Sequence, residues 1–138
     1  ELVKIMAANK QIEIHNKIPT PSYVVCDLEM MNTIIRNLLT NAIKYSHKNS
    51  SIEITSTQDK HHFFLNISDS GVGMTQKQQD MLFTGNNTTS SPGTAAEKGT
   101  GLGLILVKDF IKLNHGSISV KSEPDVGSTF TIGLPHSG

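Results

Sequence analysis

Asn37-Leu-Leu-Thr-Asn41-Ala-Ile-Lys44-Tyr45, Asp69-Ser-Gly71-Val-Gly73-Met74 and Gly99-Thr-Gly101-Leu-Gly103-Leu104 follow one another in this order along the chain. Each string has a chemistry of its own. A carboxylate two residues ahead of a glycine pair can accept a hydrogen bond from an adenine amine, and glycines let backbone approach a ligand closely. A glycine run that opens a helix presents backbone N–H groups and a positive helix end to phosphates. Alone, each string has a plain reading, because glycine-rich turns are common. In this order they point to ATP.

The flanking residues give the strings a scaffold. Leu28, Met31, Ile35, Leu38 and Ala42 recur every three or four residues, which makes one apolar helical stripe, with Asp27 as the N-cap. At about 100° per residue, Asn37, Asn41 and Lys44 fall within about 60° of one another beside that stripe. Ile52 and Ile54, then Phe63, Leu65 and Ile67, alternate like a β-hairpin around the turn at Gln58-Asp-Lys60, so Asp69 ends a strand and opens a loop. Upstream, Leu2 to Ala8 reads as the end of a helix whose start is cut away. Ile12, Ile14 and Ile18 read as a strand, and Tyr23 to Cys26 as a short second one. A short helix spans about Thr75 to Leu82. Leu102, Leu104, Ile105, Val107 and Phe110 mark a later helix ending near His115-Gly116, and strands follow at Ile118–Val120 and Thr129–Ile132. From Thr84 to Thr100 the chain has no aliphatic residue larger than alanine and no aromatic, so it cannot form core. A stretch of that length inside a compact domain reads as a functional lid or a disordered segment.

These strings and their order resemble the catalytic, ATP-binding domain of sensor histidine kinases. That domain is one branch of an ATPase group that also includes gyrase, the mismatch-repair ATPases and the large heat-shock chaperone. The resemblance runs from about Asp27 to Pro135. It implies an α/β (α+β) two-layer sandwich of the Bergerat type, a mixed sheet of about five strands with helices on one face. Residues 1–138 would form one catalytic ATP-binding domain with a lid at about 84–100, without the dimerisation and phosphoacceptor domain. The matching residues imply roles. Asn41 would help to hold a Mg²⁺ ion bridging the ATP phosphates, while Asn37, Lys44 and Tyr45 line the phosphate and sugar region. Asp69 would accept from the adenine amino group, with Gly71, Gly73 and Met74 close to the base, so guanine is expected to be rejected. Gly99, Thr100, Gly101, Leu102, Gly103 and Leu104 would hinge the lid and meet phosphates. Phe83 matches a phenylalanine that family members carry before the lid. The lid string from Ser91 to Gly101 is similar to lids of hybrid two-component sensors.

Position 37 separates branches of the group. Hydrolysing relatives carry a glutamate four residues before the shared asparagine, where it acts as a general base on water. Here that place holds Asn37, which favours phosphoryl transfer to a histidine over hydrolysis. An ATP-hydrolysing machine and a nucleotide-binding module without transfer remain the alternatives. The resemblance further implies a cytoplasmic location and partners in the parent's own dimerisation domain and a response-regulator receiver domain. His15, His47, His61, His62, His115 and His136 lack the acidic, Arg-Thr-Pro context of the family's phosphoacceptor, so the acceptor is expected elsewhere.

The remaining features bound the reading. Plain alternatives stand beside each residue: a solvated Lys44, a capping Asp69, a core Phe83. The spacing G-x-G-x-G does not match the G-x-G-x-x-G of dinucleotide folds. The 138 residues make a chain of ordinary domain size, able to bury about two-thirds of its unfolded surface. Lys plus Arg number 12 and Asp plus Glu 12, so no global field draws nucleic acid or an anionic membrane, and phosphate affinity must be local. Cys26 is the single cysteine and reads as a small buried residue in a strand. No apolar run reaches the roughly 18 residues of a membrane span.

Overall fold

The structure, a computed structural model, describes residues 2–18, 26–81 and 103–135. In chain order these form α1 (Leu2–Lys10), β1 (Glu13–Asn16), α2 (Leu28–Tyr45), β2 (Ser51–Gln58), β3 (His62–Asp69), α3 (Gln76–Met81), α4 (Gly103–Leu113), β4 (Ser117–Glu123) and β5 (Gly127–Pro135). The strands make one sheet in the order β1-β2-β3-β5-β4. β1 runs parallel to β2, and the other neighbours are antiparallel, so the sheet is mixed as the resemblance implied.

The two layers follow from side-chain alternation. Phe63, Leu65 and Ile67 of β3 and Phe130, Ile132 and Leu134 of β5 face the helices and are buried. The neighbouring positions carry the opposite chemistry: Ser68 shares a hydrogen bond with Thr129 at 2.9 Å, and Thr131 donates to Asn66 at 2.7 Å. Polar pairs dominate that side, where Phe64 stacks on His62, so the continuous apolar surface that helices can cover lies on the other face. Ile34, Leu38 and Ile43 of α2 and Val107 and Ile111 of α4 supply the covering side chains. Each such aliphatic side chain contributes about 1.5–3 kcal/mol on burial.

The caps show why the helices stop and start where they do. Asp27 accepts the Met30 N–H at 2.9 Å, the N-cap expected from the sequence. α1 ends with Gln11 at φ 57° and the Ile12 N–H bonded to the Ala7 carbonyl, and α4 ends with His115 at φ 60° and the Gly116 N–H bonded to the Ile111 carbonyl. Both are left-handed closures of the Schellman kind. In α4 the left-handed residue is His115, while Gly116 is needed because a β-carbon there would crowd the Gly133 carbonyl.

Two expectations are corrected. Cys26 is not in a strand: it sits half-buried in a bend, because the chain must turn there to present Asp27 as the cap of α2. The rest of the expected strand, Tyr23 to Val25, lies outside the described residues. Leu28 has the right spacing for the apolar stripe but is 73% exposed, since the first residue of α2 projects past the sheet. Ile34, Leu39 and Ile43, which the expected stripe omitted, widen the buried face instead.

Candidate functional site

Asp69 is the last residue of β3 and stands beside the last turn of α2. Its Oδ1 accepts the Gly71 N–H at 2.9 Å, and the Ser128 backbone N–H also reaches the carboxyl. Burial pushes this carboxyl above its ordinary pKa, against the two N–H bonds, which lower it. The carboxyl keeps acceptor capacity beyond these two N–H bonds, since a carboxylate offers about four lone-pair sites.

The loop that follows is clamped from both sides. On one side Gly71 lies against the Tyr45 carbonyl, where any β-carbon would overlap the oxygen, and the Val72 N–H donates to that same carbonyl at 3.1 Å. On the other side Gly73, at φ 67°, lies against the Glu123 carbonyl, and the Asp125 N–H donates to the Val72 carbonyl at 2.8 Å. Here the two glycines are needed for close backbone approach, and Gly73 for its positive φ as well. Gly127, at φ 142°, completes the clamp by touching the Asp69 carbonyl. Met74 closes the loop, packs against the core and donates its N–H to Ser122 Oγ at 2.8 Å.

The first string is thereby joined to the second. Asn37 and Asn41 are half-buried on α2, and Asn37 Nδ2 donates to the Thr33 carbonyl at 2.9 Å, so its Oδ1 is the atom left to face a ligand. Lys44 is buried, with its ammonium 5.0 Å from the centre of the half-buried Tyr45 ring, a cation–π distance. The third string is reached in part. Gly103 is the first residue of α4 and Leu104 is half-buried against the core. Gly99, Thr100, Gly101, Leu102, Phe83 and the expected lid lie outside the described residues. α4 packs on α2 with its C-terminal end at Asp27, so its Gly103 end points toward the half of α2 that carries Asn37 and Asn41.

The carboxamide oxygen at Asn41 suits a hard cation, which takes oxygen ligands and commonly uses only one or two protein groups beside phosphate and water. Among the described residues no cluster of three His, Cys, Asp or Glu stands ready to hold an ion. A Mg²⁺ ion carried in by phosphates would find an oxygen ligand in Asn41.

Some supporting residues carried no local sequence signal. Lys10 is buried at the end of α1, and its ammonium donates to the carbonyls of Ile43 at 2.9 Å and Lys44 at 3.0 Å, capping the C-terminal end of α2 beside Tyr45. Gln79 and Ser122 hold Met74. A separate polar groove between β1 and residues Asn49–Ser51 touches the three strings only at Ser70.

The family described as histidine kinase-, DNA gyrase B- and HSP90-like ATPases matches residues 26–138. This chain belongs to it. Among relatives of this ATPase-family domain, the sensor histidine kinase TmoS of Ectopseudomonas mendocina is 35% identical over 131 residues, which cover 94% of this chain and 14% of that protein. The sensor-like histidine kinase SenX3 of Mycolicibacterium smegmatis is 34% identical over 133 residues, covering 96% of this chain and 35% of that protein. The chain thus spans between 14% and 35% of the length of these relatives. The solved structure of a mycobacterial sensor histidine kinase, MprB, aligns with a TM-score of 0.81 at 26% identity, covering 98% of this chain and 89% of that one. The domain is of the ATP-binding kind found in sensor histidine kinases. Among the described residues no helix is long and apolar enough to cross a membrane.

Proposed function

We propose that this domain binds Mg-ATP between α2, the Asp69 loop and the start of α4, and passes the γ-phosphoryl group to a histidine on a separate dimerisation domain. A P–N bond forms to the imidazole as the bond between the γ-phosphorus and the β,γ-bridging oxygen breaks, ADP leaves, and the phosphoryl group goes on to a receiver domain. A cytoplasmic setting would supply the ATP.

The observation that carries this reading is the seam between Gly71, Val72 and the Tyr45 carbonyl, because it sets the Asp69 carboxyl against the helix bearing Asn37, Asn41 and Lys44. Asp69 then takes the adenine amine, Lys44 faces the phosphates, the Asn37 oxygen accepts from a ribose hydroxyl beside Tyr45, and Asn41 supplies an oxygen to Mg²⁺. Gly103 and Leu104, at the start of α4, offer N–H groups to the phosphates. Transfer is favoured over hydrolysis because Asn37, an amide tied to Thr33, cannot take a proton from water.

The test is to incubate the chain with γ-labelled ATP and Mg²⁺, with and without the parent protein's acceptor domain. Acid-labile label on the acceptor histidine, and none on this chain alone, is expected. Steady phosphate release that ignores the acceptor would replace the kinase reading with a hydrolase, and absence of nucleotide binding would remove both.

A further inference from the structure

We infer that Gln79 and Ser122 are positioning residues that set the adenine end of the site, and so its preference for an amino-bearing purine. The inference rests on the nucleotide reading above.

The loop from Asp69 to Met74 is referred at both ends to one hydroxyl. Ser122 Oγ accepts the Met74 N–H at 2.8 Å, lies 3.0 Å from the Gly127 carbonyl and 2.7 Å from Ser128 Oγ. A hydroxyl has one hydrogen and two lone pairs, so accepting from Met74 and Ser128 while donating to Gly127 uses it fully. Ser128 in turn gives its backbone N–H to the Asp69 carboxyl and stands opposite Ser122 in the β4–β5 register. Gln79 completes the frame from α3. Its single amide nitrogen donates to the Met74 carbonyl at 3.1 Å and to the Ser122 carbonyl at 3.0 Å, one hydrogen for each.

Neither side chain is explained by local structure. Ser122 has the same strand parity as Ile118 and Val120, which pack against the core, so packing alone would call for an apolar residue there. α3 already has its own closure. Thr75 Oγ1 accepts from the Gln78 N–H at 3.2 Å while Gln78 Oε1 accepts from the Thr75 N–H at 2.8 Å, a reciprocal capping box that does not use Gln79. What Gln79 and Ser122 share is the Met74 peptide and, through Ser128, the Asp69 carboxyl. Slack in this frame would let both drift by a few tenths of an ångström, which weakens a directional hydrogen bond to the base before it affects the phosphates.

The test compares Mg-ATP with Mg-ITP, whose base lacks the amino group, by calorimetric titration of the intact chain and its variants. The parent is expected to prefer ATP by about tenfold or more, as a site built around a hydrogen bond does. Ser122→Ala and Gln79→Ala should each narrow that ratio at least about threefold, through weaker ATP binding with ITP affinity held, and Ser122→Thr should keep the parent's ratio. A merely structural role would lower both affinities alike or neither. If Ser122→Ala does not fold, Gln79→Ala decides, since its helix keeps its own caps. A parent that prefers ATP while the variants keep its ratio overturns this inference alone. A parent that binds neither nucleotide overturns the site reading and this inference with it.

Discussion

Asn114 Oδ1 accepts the backbone N–H of Asp27 at 2.6 Å, across 87 residues of sequence. The same buried side chain donates its Nδ2 to the Phe110 carbonyl at 2.8 Å and lies 3.5 Å from the Met30 sulfur. One carboxamide thus ties the end of α4 to the cap of α2, fixing how the two helices lie along each other.

Asn114→Ala should therefore lower stability by about 1–3 kcal/mol, because a partly buried Asp27 N–H is left without its acceptor. Urea unfolding of the nucleotide-free chain measures this. A midpoint equal to the parent's would mean that water replaces the side chain freely and that the latch has no weight.

Gly71→Ala tests the seam at Tyr45. Its β-carbon would overlap the Tyr45 carbonyl, so the loop must retreat and stretch the 3.1 Å bond from the Val72 N–H. Overpacking of this kind costs about 1–3 kcal/mol. Nucleotide affinity should fall with it, since the retreat carries Asp69's loop away from α2. A variant with both properties intact would show that the loop has room that the geometry denies.

Much of this architecture was legible in the chain itself. The alternation of Phe63, Leu65 and Ile67, the Asp27 cap and the glycine strings are local patterns, and local patterns are what periodicity and capping rules read. What stayed hidden acts across long sequence separations. Lys10 caps α2 through a carbonyl 34 residues later in the chain, and Asn114 and Ser122 look like ordinary polar residues until the fold brings Asp27 and Met74 to them. His115 was hidden for another reason: the glycine beside it drew the helix-end signal, yet the histidine takes the left-handed backbone. Leu28 shows the converse error, correct periodicity at a place where the neighbouring layer has ended.

Asn41→Ala should remove most of the Mg²⁺ dependence of ATP binding while leaving the nucleotide-free fold nearly as stable as the parent, since the position is half-buried and alanine favours helix. Titrating ATP with Mg²⁺ and with a chelator measures it. An unchanged ratio between the two conditions would take the ion away from Asn41.

Asp69→Asn separates the cost of the site from its use. Burial raises the folded carboxyl's pKa above the unfolded value, so the folded chain binds more protons between the two. The carboxyl's contribution to stability is therefore complete below its ordinary pKa and is lost as pH rises through the raised one. Glu53 and Asp59, whose pKa values are lowered by Lys17 and by the His61 and His62 N–H groups respectively, move the opposite way, but both remain in the variant and cancel. The stability of the parent minus that of Asp69→Asn should fall as pH rises from the acid range to neutrality, read by urea unfolding at a series of pH values without nucleotide. At neutral pH the variant should bind adenine nucleotides about 1–3 kcal/mol more weakly, because a charged acceptor has become an amide. A difference in stability that is flat with pH would mean that Asp69 is as well solvated as a surface carboxylate, and unchanged affinity would reduce it to a turn residue.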